Sequence, residues 1–204
     1  MPFSSFWFSG IEYPTLNPDS ATDNADMTLS EGNLRAATTV NSRTLTATMA
    51  MATSGGFYFE IKAISYASGG GSYFGLTSQA THNDAFVTNY IGFDTYAGTY
   101  RGASDDTNDL TGTNVTSNND IWQVAFDATN RKFWIGKNNT WADGTTPSID
   151  GSDNTSVSVP SGALYPFISR GGSYNETYQF NFGASAFAHT PPSGFGTLNS
   201  STKA

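Results

Sequence analysis

Apolar and polar residues alternate with period two along this chain, in short blocks broken by Gly, Asn, Asp and Ser. Phe57, Phe59 and Ile61 fall on one side of an extended segment, with Tyr58, Glu60 and Lys62 on the other. Trp122, Val124 and Phe126 oppose Gln123, Ala125 and Asp127. Phe133 and Ile135 oppose Lys132 and Trp134. The clearest block is the last, where Tyr178, Phe180 and Phe182 oppose Thr177, Gln179 and Asn181. Weaker blocks cover 33–38, 44–49, 73–77, 90–94, 99–101 and 164–169. No segment sustains a helical period, and 47–53, rich in Thr and Met, reads as strand. Many short strands with turn residues at short intervals predict an all-β sandwich.

The turns are legible as well. The segment 127–131, Asp-Ala-Thr-Asn-Arg, joins two strong strands as a hairpin loop, with Asn able to take the left-handed conformation such loops need. Asn138 and Asn139 end the second of these strands. The polar stretches 105–119 and 142–158 lack core periodicity and read as surface loops. No internal repeat or domain boundary interrupts the pattern.

Composition sharpens this reading. The chain has 204 residues, suited to one sandwich. Charged residues make up only 13% and aromatic residues 14%, so the core is expected to rest on Phe, Tyr and Trp, each able to bury about 150–250 Å². Net charge is −8 with the basic residues scattered, which argues against a nucleic-acid partner and against an anionic membrane surface. Arg131, Lys132 and Lys137 are expected to form a solvated face. Cysteine is absent, so neither disulfides nor thiolate-bound metal enter. The start, MPFSSFWFSG, lacks the basic region of a signal peptide. Its cluster Phe3, Phe6, Trp7 and Phe8 reads as a docking arm or as a strand of the domain's own sheet.

Six segments resemble the SPRY family, in order and spacing over roughly residues 25–196. They are 54–62 (SGGFYFEIK), 73–76 (YFGL), 120–127 (DIWQVAFD), 131–141 (RKFWIGKNNTW), 164–168 (LYPFI) and 180–183 (FNFG). The resemblance implies a bent antiparallel two-sheet β-sandwich, a concanavalin-like jelly roll. Residues 1–24 would then be an N-terminal arm and 197–204 a tail. The ending NFGASAFAHTPPSGF, 181–195, is similar to that of SPRY domains in bacteriophage virion proteins. Asn119, Asn139 and the pair Ser185-Ala186 depart from the family pattern, all at turn positions.

The resemblance implies a non-enzymatic recognition surface. In the phage context it implies a decoration, head-fibre or tail-fibre component with a role in host-surface or glycan attachment. Its partners would be other virion proteins, further copies of itself, and a host glycan or protein. It would be made in the host cytoplasm and sit on the virion surface. The alternative is a soluble lectin-like or peptide-binding SPRY module outside any virion. SPRY domains bind through loops at one end, so the candidate ligand-binding residues are aromatics and arginines at turns: Tyr66, Tyr96, Tyr100, Arg101, Trp141, Arg170 and Tyr174. Tyr and Trp give large rigid contacts, and Arg gives forked donors.

Catalytic chemistry finds little support. A glycoside hydrolase needs two carboxylates flanking the scissile bond, and Glu60 stands alone on its strand and reads as a satisfied surface or inter-strand carboxylate. Glu176 falls at a strand edge. His82 and His189 are the two histidines, and both read as structural or exposed. The acidic loops at 105–109 and 150–154 do not match a calcium-loop spacing. No cofactor is expected.

Overall fold

In this computed structural model the described residues are 10–20, 27–38, 44–67, 71–80, 89–96, 99–102, 108–109, 116–142, 144, 146–149, 159–170 and 174–204, with 99–102 and 108–109 described in backbone only. Two antiparallel sheets account for nearly all regular structure among them. The longer sheet orders β1 (Met27–Ser30), β2 (Arg35–Thr38), β13 (Glu176–Asn181), β4 (Gly56–Ser65), β9 (Ile121–Asp127), β10 (Lys132–Lys137) and β11 (Thr140–Trp141). The shorter orders β3 (Thr44–Thr46), β12 (Tyr165–Arg170), β5 (Ser72–Thr77), β6 (Tyr90–Asp94), β7 (Thr99–Gly102) and β8 (Asn108–Asp109). The sandwich expected from the alternation is therefore the observed fold class.

The core is aromatic, as the composition requires. Phe74 stands 5.5 Å from Trp122 and 5.9 Å from Phe93, centroid to centroid, and Phe59 is 5.5 Å from Phe182. These separations fall in the range where tilted aromatic pairs attract. The inward positions of β13 hold as expected: Tyr178 and Phe180 are buried, and Gln179 and Asn181 are not fully so.

On β4 and β9 the alternation means something else. Tyr58, Glu60, Gln123, Ala125 and Asp127 are as buried as their inward neighbours. The cover on that outer face is the C-terminal flap. Asn181 Oδ1 accepts from Gly183 N at 2.9 Å, and its amide donates to the carbonyls of Ser185 and Ala186. The chain turns away at Gly183, where φ is +106° and a Cβ would lie 2.1 Å from Thr197 Cγ2. It crosses β4, with Phe187 edge-on to Tyr58 at 4.8 Å, and returns as β14 (Phe195–Gly196), parallel to Gly56 and Phe57. Phe195 packs edge-on against Trp134 at 5.8 Å. The outer cluster Tyr58, Ala125, Trp134 and Phe195, with Trp141 and Phe187, is a second small core.

Several sequence expectations need correction. Residues 10–20 and 197–204 pack on the sandwich. Leu16 is fully buried; its N–H donates to Asn33 O, and Asn17 N donates to Thr46 O. This segment covers the free edge of β3 and ties it to the β1–β2 turn. Leu198 is fully buried, Lys203 bridges to Met51, and Ser200 N donates to Glu12 O. In the 127–131 loop the left-handed residue is Arg131 (φ 56°), not Asn130. Asp127 explains this by accepting from the N–H groups of Thr129 and Asn130 and from the Asn130 amide. The basic face is not simply solvated either: Arg131 lies 5.5 Å over Phe126, and Lys137 lies 5.5 Å over Trp122 and 3.6 Å from Asp120. Short strands also appear at β1, β8, β11 and β14, where two to four residues carry too little pattern to be read.

Candidate functional site

The strand register places several connections at one end of the sandwich. Arg170 is opposite Ser72, Tyr73 opposite Asp94, and Thr177 opposite Ser65. The β4–β5, β6–β7 and β12–β13 connections therefore open on the same side, here called the mouth. Tyr66, Tyr96 and Tyr174 lie on these three connections. Tyr96 is 58% and Tyr174 46% exposed. Tyr66 is half-buried, and its hydroxyl donates to Thr95 O at 3.4 Å.

Beneath the mouth, the space between the sheets ends in a polar floor instead of apolar side chains. Glu176, the first inward residue of β13, accepts on one oxygen from Arg170 Nη1, from Ser72 Oγ at 2.5 Å and from Tyr178 Oη at 3.3 Å. Arg170 and Ser72 belong to the shorter sheet and Glu176 to the longer, so the knot joins the two. Arg170 and Glu176 side chains are both 0% exposed. Burial pushes the Glu176 carboxyl up, and Ser72, Arg170, Tyr178 and the Ala67 backbone pull it back by favouring the charged form. Burial, with the charges of Glu176 and Asp94, pushes Tyr66 up to about 12. Thr95 completes the floor: its hydroxyl accepts from Ser72 N at 3.0 Å, and its carbonyl accepts from Thr116 Oγ1, which in turn accepts from Trp122 Nε1.

Two solved structures share this architecture. The SPRY domain of human HERC1 superposes with a TM-score of 0.61 at 16% identity, over 84% of this chain and 99% of that one. A further human SPRY domain superposes with a TM-score of 0.57 at 12% identity, over 79% and 98%. The chain has the SPRY fold. At these identities the likeness is one of fold alone. No family model matches the sequence, and no curated protein does.

Within the SPRY fold the seven candidate ligand-binding residues separate. Tyr66, Tyr96 and Tyr174 come to the mouth. Tyr100 and Arg101 lie on β7 opposite Phe93 and Gly92, with backbone beside the mouth and side chains outside the described residues. Trp141 belongs elsewhere: it packs over Gly136 into the outer cluster. Arg170 is corrected outright, because a fully buried guanidinium bound to Glu176 is floor and not rim. Phe3, Phe6, Trp7 and Phe8 lie outside the described residues, as do His82 and the 150–154 loop.

Glu60 is the remaining carboxylate of interest. It is 4% exposed and accepts from Tyr58 Oη at 2.9 Å and from the N–H groups of Ala188 and His189, both at 2.8 Å. Its oxygens are spent on holding the flap. Among the described residues no three His, Asp or Glu side chains converge as a metal ion would need.

Proposed function

We propose that this SPRY-fold chain is a non-catalytic recognition domain that contacts its partner through the mouth. The observation that carries this is the placement of Tyr66, Tyr96 and Tyr174 on three connections at one end, above a floor where Arg170, Ser72 and Tyr178 converge on Glu176. Exposed tyrosines on turns held by two packed sheets offer rigid contact area at small entropic cost. Residues 12, 51 and 200–204 meet one another at the other end, where Met51 pairs with Leu164. A partner held there leaves the mouth free.

We further propose that the domain belongs to a bacteriophage virion surface, as a decoration or fibre component. The support is the 181–195 ending, and the structure gives its residues work as flap formers. Phe3, Phe6, Trp7 and Phe8 are the proposed dock, since adjacent aromatics usually mark an interface. The test is co-sedimentation with purified particles at fixed stoichiometry, with and without residues 1–10. Loss of sedimentation in a truncated protein of native circular dichroism supports the dock, and absence of the full chain from particles sinks the virion reading.

The second reading, a free peptide- or glycan-binding module, draws support from the human SPRY domains that share the fold. Glycan- and peptide-array binding by the isolated domain, lost in Tyr96→Ala and Tyr174→Ala, separates it from the first. If those two changes leave every interaction intact, the mouth is not the contact surface.

A further inference from the structure

Among the described residues the inter-sheet core is apolar around Phe59, Phe74, Trp122 and Phe180, and it turns polar beneath the mouth, where Ser72, Arg170, Glu176 and the Tyr178 hydroxyl meet. A buried ion pair is a poor source of stability, because desolvation offsets most of the attraction. Apolar residues continuing the Phe74 and Phe180 layers would fill the same space. The position of the pair is therefore informative. It closes β5 and β12 of one sheet onto β13 of the other, at the roots of the β4–β5 and β12–β13 connections. Tyr174 stands two residues before Glu176 on the second of these. Tyr66 stands one residue past β4, and its electrostatic surroundings include Glu176 and Arg170.

We infer that the Arg170–Glu176 pair, with its donors Ser72 and Tyr178, is a positioning device that sets the mouth, and not a contributor to the stability of the sandwich. Directional donors converge on one carboxylate oxygen from two strands of the opposite sheet and one of its own. Such convergence fixes the spacing and register of the two sheets at this end, whereas an apolar layer would fix only their separation. This rests on the mouth being the contact surface for its functional meaning, but not for its physical content.

The test uses the full chain and the double variant Arg170→Met with Glu176→Met, which removes both charges and keeps the volume apolar. Thermal melting reads the whole fold. Hydrogen–deuterium exchange reads the two ends separately: peptides spanning 63–67, 72–75, 93–96 and 174–178 for the mouth, and 51–55 and 128–131 for the far end. The expected result is a melting temperature at or above that of the parent, with mouth peptides exchanging about tenfold faster and far-end peptides unchanged. A lowered melting temperature with both ends accelerated alike would make the pair an ordinary core element and overturn the inference. So would a mouth whose exchange does not change. Should the double variant fail to fold, Ser72→Ala with Tyr178→Phe strips the two neutral donors from a retained buried carboxylate: the melting temperature is then expected to fall, mouth peptides accelerating more than far-end peptides support the inference, and both ends accelerating alike overturn it. None of these outcomes involves a ligand, so a failure here is distinct from a failure of Tyr96→Ala and Tyr174→Ala to affect binding.

Discussion

Glu60 and Glu176 are both buried, both on the longer sheet, and on opposite faces of it. Glu60 faces out under the flap and receives two backbone N–H groups and one tyrosine hydroxyl. Glu176 faces in beneath the mouth and receives a guanidinium, a serine and a tyrosine. The first arrangement is local electrostatics by dipoles, and it leaves no second charge behind if the carboxylate is neutralised. The second binds two charges into mutual dependence. Dipole-held Glu60 acts as a latch for a chain segment, and charge-held Glu176 as a joint between sheets. Losing the partner of a buried charge costs more than losing one acceptor among neutral donors.

Phe180 sets the scale for both. It lies inward on β13, past Glu176 and next to Asn181, whose Cα partner is Glu60. Phe180→Ala is expected to cost about 3–5 kcal/mol, the range for emptying a buried aromatic site. An unchanged denaturation midpoint would mean the strand faces the other way. Glu176→Gln comes next, at about 3 kcal/mol, because it strands the Arg170 charge. Glu60→Gln should cost less, about 1–3 kcal/mol, since Ala188 and His189 donate to different oxygens, so Gln keeps an acceptor for one flap amide and turns its NH₂ toward the other. If the two glutamine variants melt alike, the distinction between latch and joint fails.

The tyrosines beside each carboxylate offer a pH test. Burial is the leading cause that raises Tyr66, Tyr58 and Tyr178 above the usual tyrosine value of 10.0, and nearby carboxylates add to it. A raised folded value favours the neutral phenol in the folded state. The stability it brings is present below the unfolded value near 10 and is lost as pH climbs through the folded values, about 12 for Tyr66. Melting temperature should therefore fall above pH 10, with tyrosinate absorbance lagging behind that of the unfolded chain. Tyr178→Phe should soften the fall; an identical alkaline profile would show that Tyr178 is not shielded beside Glu176.

What the sequence made legible follows from how far each physical signal reaches. Period-two alternation marked β4, β9, β10 and β13 because each presents several large apolar side chains. It could not tell solvent from a flap on the outer face of β4, since Tyr58 and Glu60 look the same under either. Glu176 and Arg170 were within reach: stepping back by two from Phe180 and Tyr178 puts Glu176 inward, and stepping on by two from Ile168 puts Arg170 inward. Arg170 was placed at the rim because charged residues are seldom fully buried unless paired, and its partner sits across a sheet boundary that no local pattern crosses. The position of Tyr66, Tyr96 and Tyr174 on connections was legible for the opposite reason, since each lies beside turn residues outside any alternating block.

The smallest expected effect lies at the far reach of the Glu60 network. Asn138 and Asn139 form the two-residue turn between β10 and β11, with φ of 51° and 65°. Both positions are left-handed, as the mirror-image hairpin turn demands; Asn is well suited to the first of them and glycine to the second. Asn139 N also donates to Gln123 Oε1 at 2.6 Å, the Gln123 amide donates to Tyr58 Oη, and that hydroxyl donates to Glu60. The turn thus orients the amide that orients the tyrosine that serves the latch. Asn139→Gly keeps the N–H and relieves the backbone, so it should leave stability unchanged or raise it by about 0.5 kcal/mol. Asn139→Val keeps the N–H too but resists positive φ, and it is expected to cost about 1–2 kcal/mol. If the valine change also accelerates amide exchange at Ala188 and His189, the network transmits from turn to flap. If it destabilises the hairpin and leaves those two amides untouched, Glu60 holds the flap on its own.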